Sequence, residues 1–209
     1  INRVGDWVFK ETARLAGHWR KHFHEDFQIT VNMSPVQFKA ENIAATKKSL
    51  SHLHQLELSG KNLVIEITER FLLNVESEVI DILLWLRDTG IQVAIDDFGT
   101  GYSSLSYLNK FDIDYLKIDQ SFVHNLSTDE NAIALSEAII VMAHKLGLKV
   151  IAEGVETEVQ KAMLVDAGCD YAQGYLYSPP VPAAAFEALL QKHHSLSQPD
   201  VTDIASRNV

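Results

Sequence analysis

The 209-residue chain has a single cysteine, Cys169, and therefore no internal disulfide. A lone thiol fits a reducing compartment, where it fills core space as a small apolar residue. Positive charge is also scarce: 18 Lys and Arg stand against 28 Asp and Glu, a formal net charge of −10. That balance excludes a general basic field for a nucleic acid polymer or an anionic membrane. An anionic substrate would need positive charge placed locally, by a lysine or a metal. No apolar run reaches the roughly 20 residues of a membrane span; the longest, around 138–143, is interrupted by His144-Lys145. No signal peptide is visible, and a chain that starts at Ile1 in a helix-like pattern reads as a piece of a longer polypeptide. Internal repeats and dividing linkers are lacking too. With 46% hydrophobic residues, one domain of α/β size is expected.

What is present is alternation. Apolar spacing in Val4, Trp7, Val8, Leu15 and Trp19 predicts a helix to about Phe23, followed by a strand over Phe27–Met33. Helical patterns at 43–56, 79–86, 131–146, 156–167 and 183–192 then alternate with strands at 62–68, 91–95, 114–118, 148–152 and 171–177. Gly90, Gly147 and Gly168 stop three of the helices. From Ser195 onward the chain is polar and weakly periodic, as expected of a disordered tail over 195–209. Short, almost wholly apolar strands between helices indicate a parallel sheet covered on both faces. Six strands fit either an open doubly wound sheet or a (β/α)8 barrel whose first strand or strands lie upstream.

Nearly every strand ends in a polar residue: Asn32, Glu66, Asp96 with Asp97, Lys117, Glu153 and Gln173. Parallel strands place all those ends on one face, where barrel enzymes build their sites. Glu66, inside Val64-Ile65-Glu66-Ile67-Thr68, is costly to bury unless paired or metal-bound. Adjacent Asp96 and Asp97 suit either a turn or helix cap or a metal centre. An amide oxygen and several carboxylates, without His or Cys, favour Mg²⁺ or Mn²⁺ over Zn²⁺. Two such ions held about 3.5–4 Å apart are the arrangement used for in-line attack on phosphodiesters. Lys117 is suited to orienting the attacking group or, in the plainer alternative, to a salt bridge with Asp119 or Glu153.

The segments Val31-Asn32-Met33-Ser34, Glu66-Ile67-Thr68-Glu69, Asp96 through Leu105 (DDFGTGYSSL), Leu116-Lys117-Ile118-Asp119, Glu153-Gly154-Val155-Glu156 and Gln173-Gly174-Tyr175-Leu176 resemble, in order, those of the EAL domain family. The resemblance covers about Val4 to Leu190 and defines one domain over 1–194. It implies a modified TIM barrel, N-terminally truncated here, in a domain that hydrolyses cyclic di-GMP to linear pGpG with Mg²⁺ or Mn²⁺, two ions in all. By the same resemblance Asn32, Glu66, Asp96, Asp97 and Glu153 are metal ligands, Asp96 bridging, while Glu153 helps hold the metals or the water, Lys117 positions that water and Asp119 supports the site, these three being the catalytic residues. Glu69 anchors the loop after Asp97 and governs the second metal and dimer coupling; Glu156 and Gln173 face the substrate or back the ligands. A homodimer, upstream sensor or GGDEF domains, and a cytoplasmic domain of a bacterial protein that is itself membrane-anchored complete the implied picture. The alternative within the family is a weakly catalytic receptor for the same ligand.

Two departures stand out. The Glu-Ala-Leu motif of the family's first strand is missing, Glu187-Ala188-Leu189 being a coincidence on the C-terminal helix, so one ligand and the arginine after it are expected upstream. The isolated chain is accordingly expected to be weak or inactive. Pro179 stands where the family often has Lys or Arg. Elsewhere, His22-x-His24 and His52-x-His54 read as surface histidines, Trp7, Trp19 and Trp85 as core, and Ser103-Ser104 as a hydrogen-bonding loop without a histidine base.

Overall fold

The computed structural model describes residues 2–51, 58–72, 77–101, 108 and 111–197. Six strands join in one sheet: β1 (Ile29–Asn32), β2 (Leu63–Thr68), β3 (Gln92–Phe98), β4 (Tyr115–Ile118), β5 (Lys149–Ala152) and β6 (Tyr171–Ala172). Their order in space is their order in sequence, and every pairing is parallel. A doubly wound sheet reverses its order at a switch point. This sheet does not, which removes that alternative and leaves the wall of a barrel. Among the described residues the ladder is open between β1 and β6.

The helices are α1 (Asn2–His22), α2 (Ala40–Ser51), α3 (Glu69–Leu72), α4 (Ser77–Asp88), α5 (Gln120–Asn125), α6 (Glu130–Lys145), α7 (Glu158–Asp166) and α8 (Ala183–Ser197). Side chains alternate across each strand. One set, including Ile65, Ile67, Val93, Ile95, Leu116, Ile118 and Val150, is almost wholly buried in the main core. Each such residue contributes about 1.5–3 kcal/mol on burial. The other set forms a smaller cluster of Val64, Ala94 and Tyr115 with Ile151. This double burial explains why the strands read as continuous apolar runs.

The strand starts are braced by polar side chains. Asn62 donates to the carbonyls of Glu25 and Phe27, Asp114 accepts the Val93 N–H at 2.8 Å, and Asp170 accepts the Val150 N–H at 2.8 Å. Each residue sits just before its own strand and grips the entry of the preceding one.

The structure corrects several readings. Trp7 is 66% exposed, whereas Trp19 is buried and Trp85 packs half-buried on the core. The buried stripe of α1 runs Phe9, Ala13, Ala16, and Trp7 lies about 160° away from Phe9 around the helix. The last strand is two residues long, not seven. After Gln173 the chain turns, because Gly174 packs so closely on Val155 that a Cβ would lie 2.2 Å from its carbonyl oxygen. The final helix runs to Ser197, beyond the expected end near Lys192 and into the segment read as tail; positions 198–209 lie outside the described residues, as do His52-x-His54 and Tyr102 through Leu105. Gly90, Gly147 and Gly168 stop their helices as expected, with φ of 75°, 79° and 82°. Cys169 is half-buried; its thiol donates to the Tyr171 carbonyl, and burial pushes it up to about 11, out of the range of a reactive nucleophile.

Candidate active site

At the C-terminal ends of the strands, Lys117 projects from β4 into a ring of carboxylates. Its Nζ lies 2.9 Å from Glu66 on β2, 3.0 Å from Asp96 on β3 and 2.5 Å from Glu153 after β5. The parallel register produces this meeting, since each strand end stands beside the next. The Lys117 and Glu66 side chains are only 3% and 4% exposed. Burial alone would push the ammonium down, but the charges of Glu66 and Glu153 and their hydrogen bonds outweigh it and hold the lysine well above its ordinary value. Among these carboxylates Lys117 is a fixed cation and hydrogen-bond donor. The salt-bridge alternative and the site alternative coincide: it pairs with Glu153 within the carboxylate cluster.

The two aspartates reach the same side by a local departure from strand geometry. Successive strand residues point to opposite faces. Between Ile95 and Phe98 the β3–β4 register shifts, and Asp97 takes φ 56°, the one positive φ of a non-glycine among the described residues. Bulges re-aim side chains in this manner. As a result, donor atoms of Asp96, Asp97 and Glu153 all lie within 4.8 Å of one another. Burial, then the charges of Asp96 and Asp119, raise the Asp97 carboxyl above its usual range. Burial likewise raises Glu153, against the pull of Lys117.

The remaining sequence-predicted residues frame this cluster. Asn32 is exposed at the end of β1, in register with Glu66. Asp119 caps α5 by accepting the Ser121 N–H, and its charge helps to raise the Asp97 carboxyl. Glu69, buried at the start of α3, accepts the Gly99 N–H at 3.0 Å and so ties the turn after Asp97 to β2. Gln173 donates to Glu153 at 2.7 Å. Glu156 stands further out on the rim, 3.3 Å from His124. Glu187 of the Glu-Ala-Leu string lies on α8 and accepts the Trp19 indole N–H, away from the strand ends.

Two contributors went unread in the sequence. His124 arrives on α5, a helix too short for a periodic signal. Gln160 accepts the N–H groups of Glu156 and Thr157 and holds the chain just past Glu153; its signal was the capping box Thr157-x-x-Gln160. Beside Glu153 and Gln173 opens a cleft of about 830 Å³, with Tyr175, Pro179 and Trp19 among its walls. That size admits a ligand with the bulk of a small organic molecule.

Four carboxylates, Glu66, Asp96, Asp97 and Glu153, thus face one ammonium. Three negative charges in excess, presented as hard oxygen donors, suit a divalent cation such as Mg²⁺ or Mn²⁺. The family model described as EAL domain matches residues 1–180. The chain belongs to the EAL family. It is 38% identical over 183 residues to the Pseudomonas aeruginosa protein named bifunctional diguanylate cyclase/cyclic di-GMP phosphodiesterase MucR, covering 88% of this chain and 26% of that protein. The structure titled PaMucR phosphodiesterase, c-di-GMP complex superposes with a TM-score of 0.81 at 37% identity, over 88% of this chain and 74% of that one. Klebsiella pneumoniae BlrP1, in a manganese/cy-diGMP complex, matches with a TM-score of 0.74 at 29% identity, over 86% and 45% of the two chains. Curated relatives of this EAL domain are longer proteins, of which the chain spans about a quarter. The fold is accordingly the TIM-like barrel of EAL domains. No helix among the described residues is long and apolar enough to cross a membrane.

Proposed function

We propose that this EAL domain hydrolyses cyclic di-GMP to linear pGpG. The observation that carries the reading is the Lys117-centred ring of Glu66, Asp96 and Glu153, with Asp97 alongside, whose Glu153 also lines the neighbouring cleft. Relatives named as cyclic di-GMP phosphodiesterases, and the MucR complex with the dinucleotide, support it.

Asp96, Asp97 and Glu153, with Glu66 and Asn32 beside them, would hold two Mg²⁺ or Mn²⁺ ions. When bound, the ions supply charge stabilisation at a phosphodiester and a strong oxygen nucleophile at neutral pH. Lys117 donates a hydrogen bond toward the reacting centre and offsets charge that develops on phosphate oxygens. Glu153 is fixed on the opposite side by Gln173 and Lys117, so its carboxylate is preorganised. Asp119, held as the cap of α5, adds its negative charge beside Asp97, and Glu69 restrains the turn that follows Asp97. Glu156 and Gln173 face the substrate. Pro179 gives the cleft wall an apolar surface at a position where the family often carries Lys or Arg.

The reading extends to a homodimer coupled through the loop after Asp97, and to upstream sensor or GGDEF domains in a cytoplasmic part of a membrane-anchored bacterial protein. MucR, named for both diguanylate cyclase and phosphodiesterase activities, supports the multidomain part. The deciding experiment separates pGpG from cyclic di-GMP by chromatography after incubating the full-length protein with Mg²⁺ or Mn²⁺. Turnover abolished by Glu66→Ala and by Lys117→Ala is expected. Tight cyclic di-GMP binding without product in either metal would overturn hydrolysis and make the domain a receptor.

A further inference from the structure

His18 and His22 lie on α1, away from the strand ends that carry the reaction. Residues four apart on a helix share a face, and here the imidazole centroids lie 4.2 Å apart with the ring planes tilted by 37°. The partner of His22 is thus His18, not His24, which lies past the helix end. His22 Nδ1 is 2.7 Å from the His18 carbonyl oxygen. A carbonyl only accepts, so Nδ1 carries the proton and the neutral ring keeps its lone pair on Nε2. Metal-binding histidines are characteristically fixed in this manner, one ring nitrogen donating to a carbonyl or carboxylate. Across the gap to α8, His18 Nε2 is 3.5 Å from Glu187 Oε1. The same carboxylate oxygen accepts the Trp19 indole N–H at 2.8 Å, which anchors Glu187 beside the histidines. Arg14, one turn earlier, is already paired with Glu11 through two hydrogen bonds.

We propose that His18, His22 and Glu187 form a binding site for a divalent transition-metal ion of the Zn²⁺, Ni²⁺ or Cu²⁺ class, bridging α1 and α8. Two imidazoles and one carboxylate select such ions over Mg²⁺, which prefers oxygen donors. The three donors do not yet lie within 4.8 Å of one another, as those of Asp96, Asp97 and Glu153 do. The histidine pair therefore captures the ion first, and the Glu187 carboxylate turns onto it. That closure ties α8 to α1 next to the Trp19–Phe186 ring contact, whose centroids are 4.9 Å apart. Trp19 and Phe186 both line the cleft that reaches Glu153. The site is a clamp on one wall of that cleft, distinct in chemistry from the oxygen-rich centre.

The test uses untagged protein saturated with Mg²⁺ so that the acidic centre is filled. Wild type should bind one more equivalent of Ni²⁺ than the H18Q/H22Q variant and gain thermal stability from it, while the variant gains none. Cu²⁺ on wild type should show nitrogen hyperfine coupling from two imidazoles, reduced to one in H18Q and in H22Q. Glu187→Gln should weaken Ni²⁺ binding about tenfold without abolishing it. The His18 and Glu187 side chains are 42% and 32% exposed, so these variants fold. Equal Ni²⁺ stoichiometry and equal thermal shifts in wild type and H18Q/H22Q would overturn the site.

Discussion

Lys117 Nζ lies 2.5 Å from Glu153 Oε1, although the two residues come from adjacent strand ends and both are largely withdrawn from water. The contact makes the lysine the neutralising charge of the resting site. Removing one member of a buried ion pair costs about 3–5 kcal/mol, because the partner stays buried and unpaired. Lys117→Met should therefore lower the melting temperature in EDTA and abolish turnover. Mn²⁺ should raise the melting temperature of the variant more than that of wild type, since the ion then takes over the neutralisation of Glu66, Asp96 and Glu153. Scanning calorimetry with and without Mn²⁺ checks this; equal metal shifts in both proteins would show that lysine and ion do not share those carboxylates.

Much of this cluster was legible because parallel strands bring their ends together whatever the intervening helices do. Glu66, Asp96, Lys117 and Glu153 needed only the strand assignments to be placed on one face. The bulge at Asp97 was not legible. A period-2 reading assigns Asp96 and Asp97 to opposite faces, and only the backbone shows both turned to the same carboxylate cluster. Trp7 and Trp19 failed to separate for a related reason. Spacing places an apolar residue on a helix, but the covering partner is tertiary: Phe27 and Phe186 pack on Trp19, and Trp7 stands 66% exposed. The short α5 and two-residue β6 carry too few residues for any period to register.

Glu69 and Gly99 offer a test of the turn that follows Asp97. The buried carboxylate accepts the Gly99 N–H at 3.0 Å. Leaving that N–H without its acceptor costs about 1–3 kcal/mol. Glu69→Ala should raise the Mn²⁺ concentration needed for half-maximal turnover, because Asp97 sits at the start of the freed turn. Glu69→Gln retains an acceptor oxygen and should show a smaller rise. Metal titrations of both variants distinguish positioning from bulk destabilisation, which would lower the maximal rate without moving the midpoint.

Asp114 and Asp170 brace neighbouring strands by the same hydrogen bond yet titrate in opposite directions. Burial works to raise Asp170, but the hydrogen bonds from His144 and the Val150 N–H overcome it and hold the carboxyl below its ordinary 3.8. Its stabilisation is present above that value and is lost as pH falls through the lower, folded-state pKa. In Asp114 burial outweighs the Val93 N–H and Gln92, so the carboxyl is raised, and its contribution favours the fold at low pH and fades as pH rises. Asp170→Asn should therefore make the protein less sensitive to acid below about pH 4, and Asp114→Asn should remove a loss of stability that sets in as pH rises above about 4. Urea midpoints on both sides of that pH, each read as the difference from wild type, give the two changes in slope, and changes of the same sign would refute the assignment.

Asp97 concentrates the cost of the site in one residue. Its φ of 56° lies in the left-handed region, which costs a non-glycine residue about 1–2 kcal/mol, less for aspartate than for most. Its carboxyl is also raised, by burial first and then by Asp96 and Asp119. Asp97→Gly removes both penalties and should stabilise the metal-free protein by about 1 kcal/mol. The same change deletes a donor from the Asp96, Asp97 and Glu153 trio, so Mn²⁺ affinity and turnover should each fall by at least about tenfold. Asp97→Asn separates the contributions, since asparagine tolerates the left-handed conformation but carries no charge. Its stability gain isolates the electrostatic part, and the further gain in the glycine variant is the backbone part. A glycine variant less stable than wild type in EDTA would refute the strain and the charge repulsion assigned to Asp97.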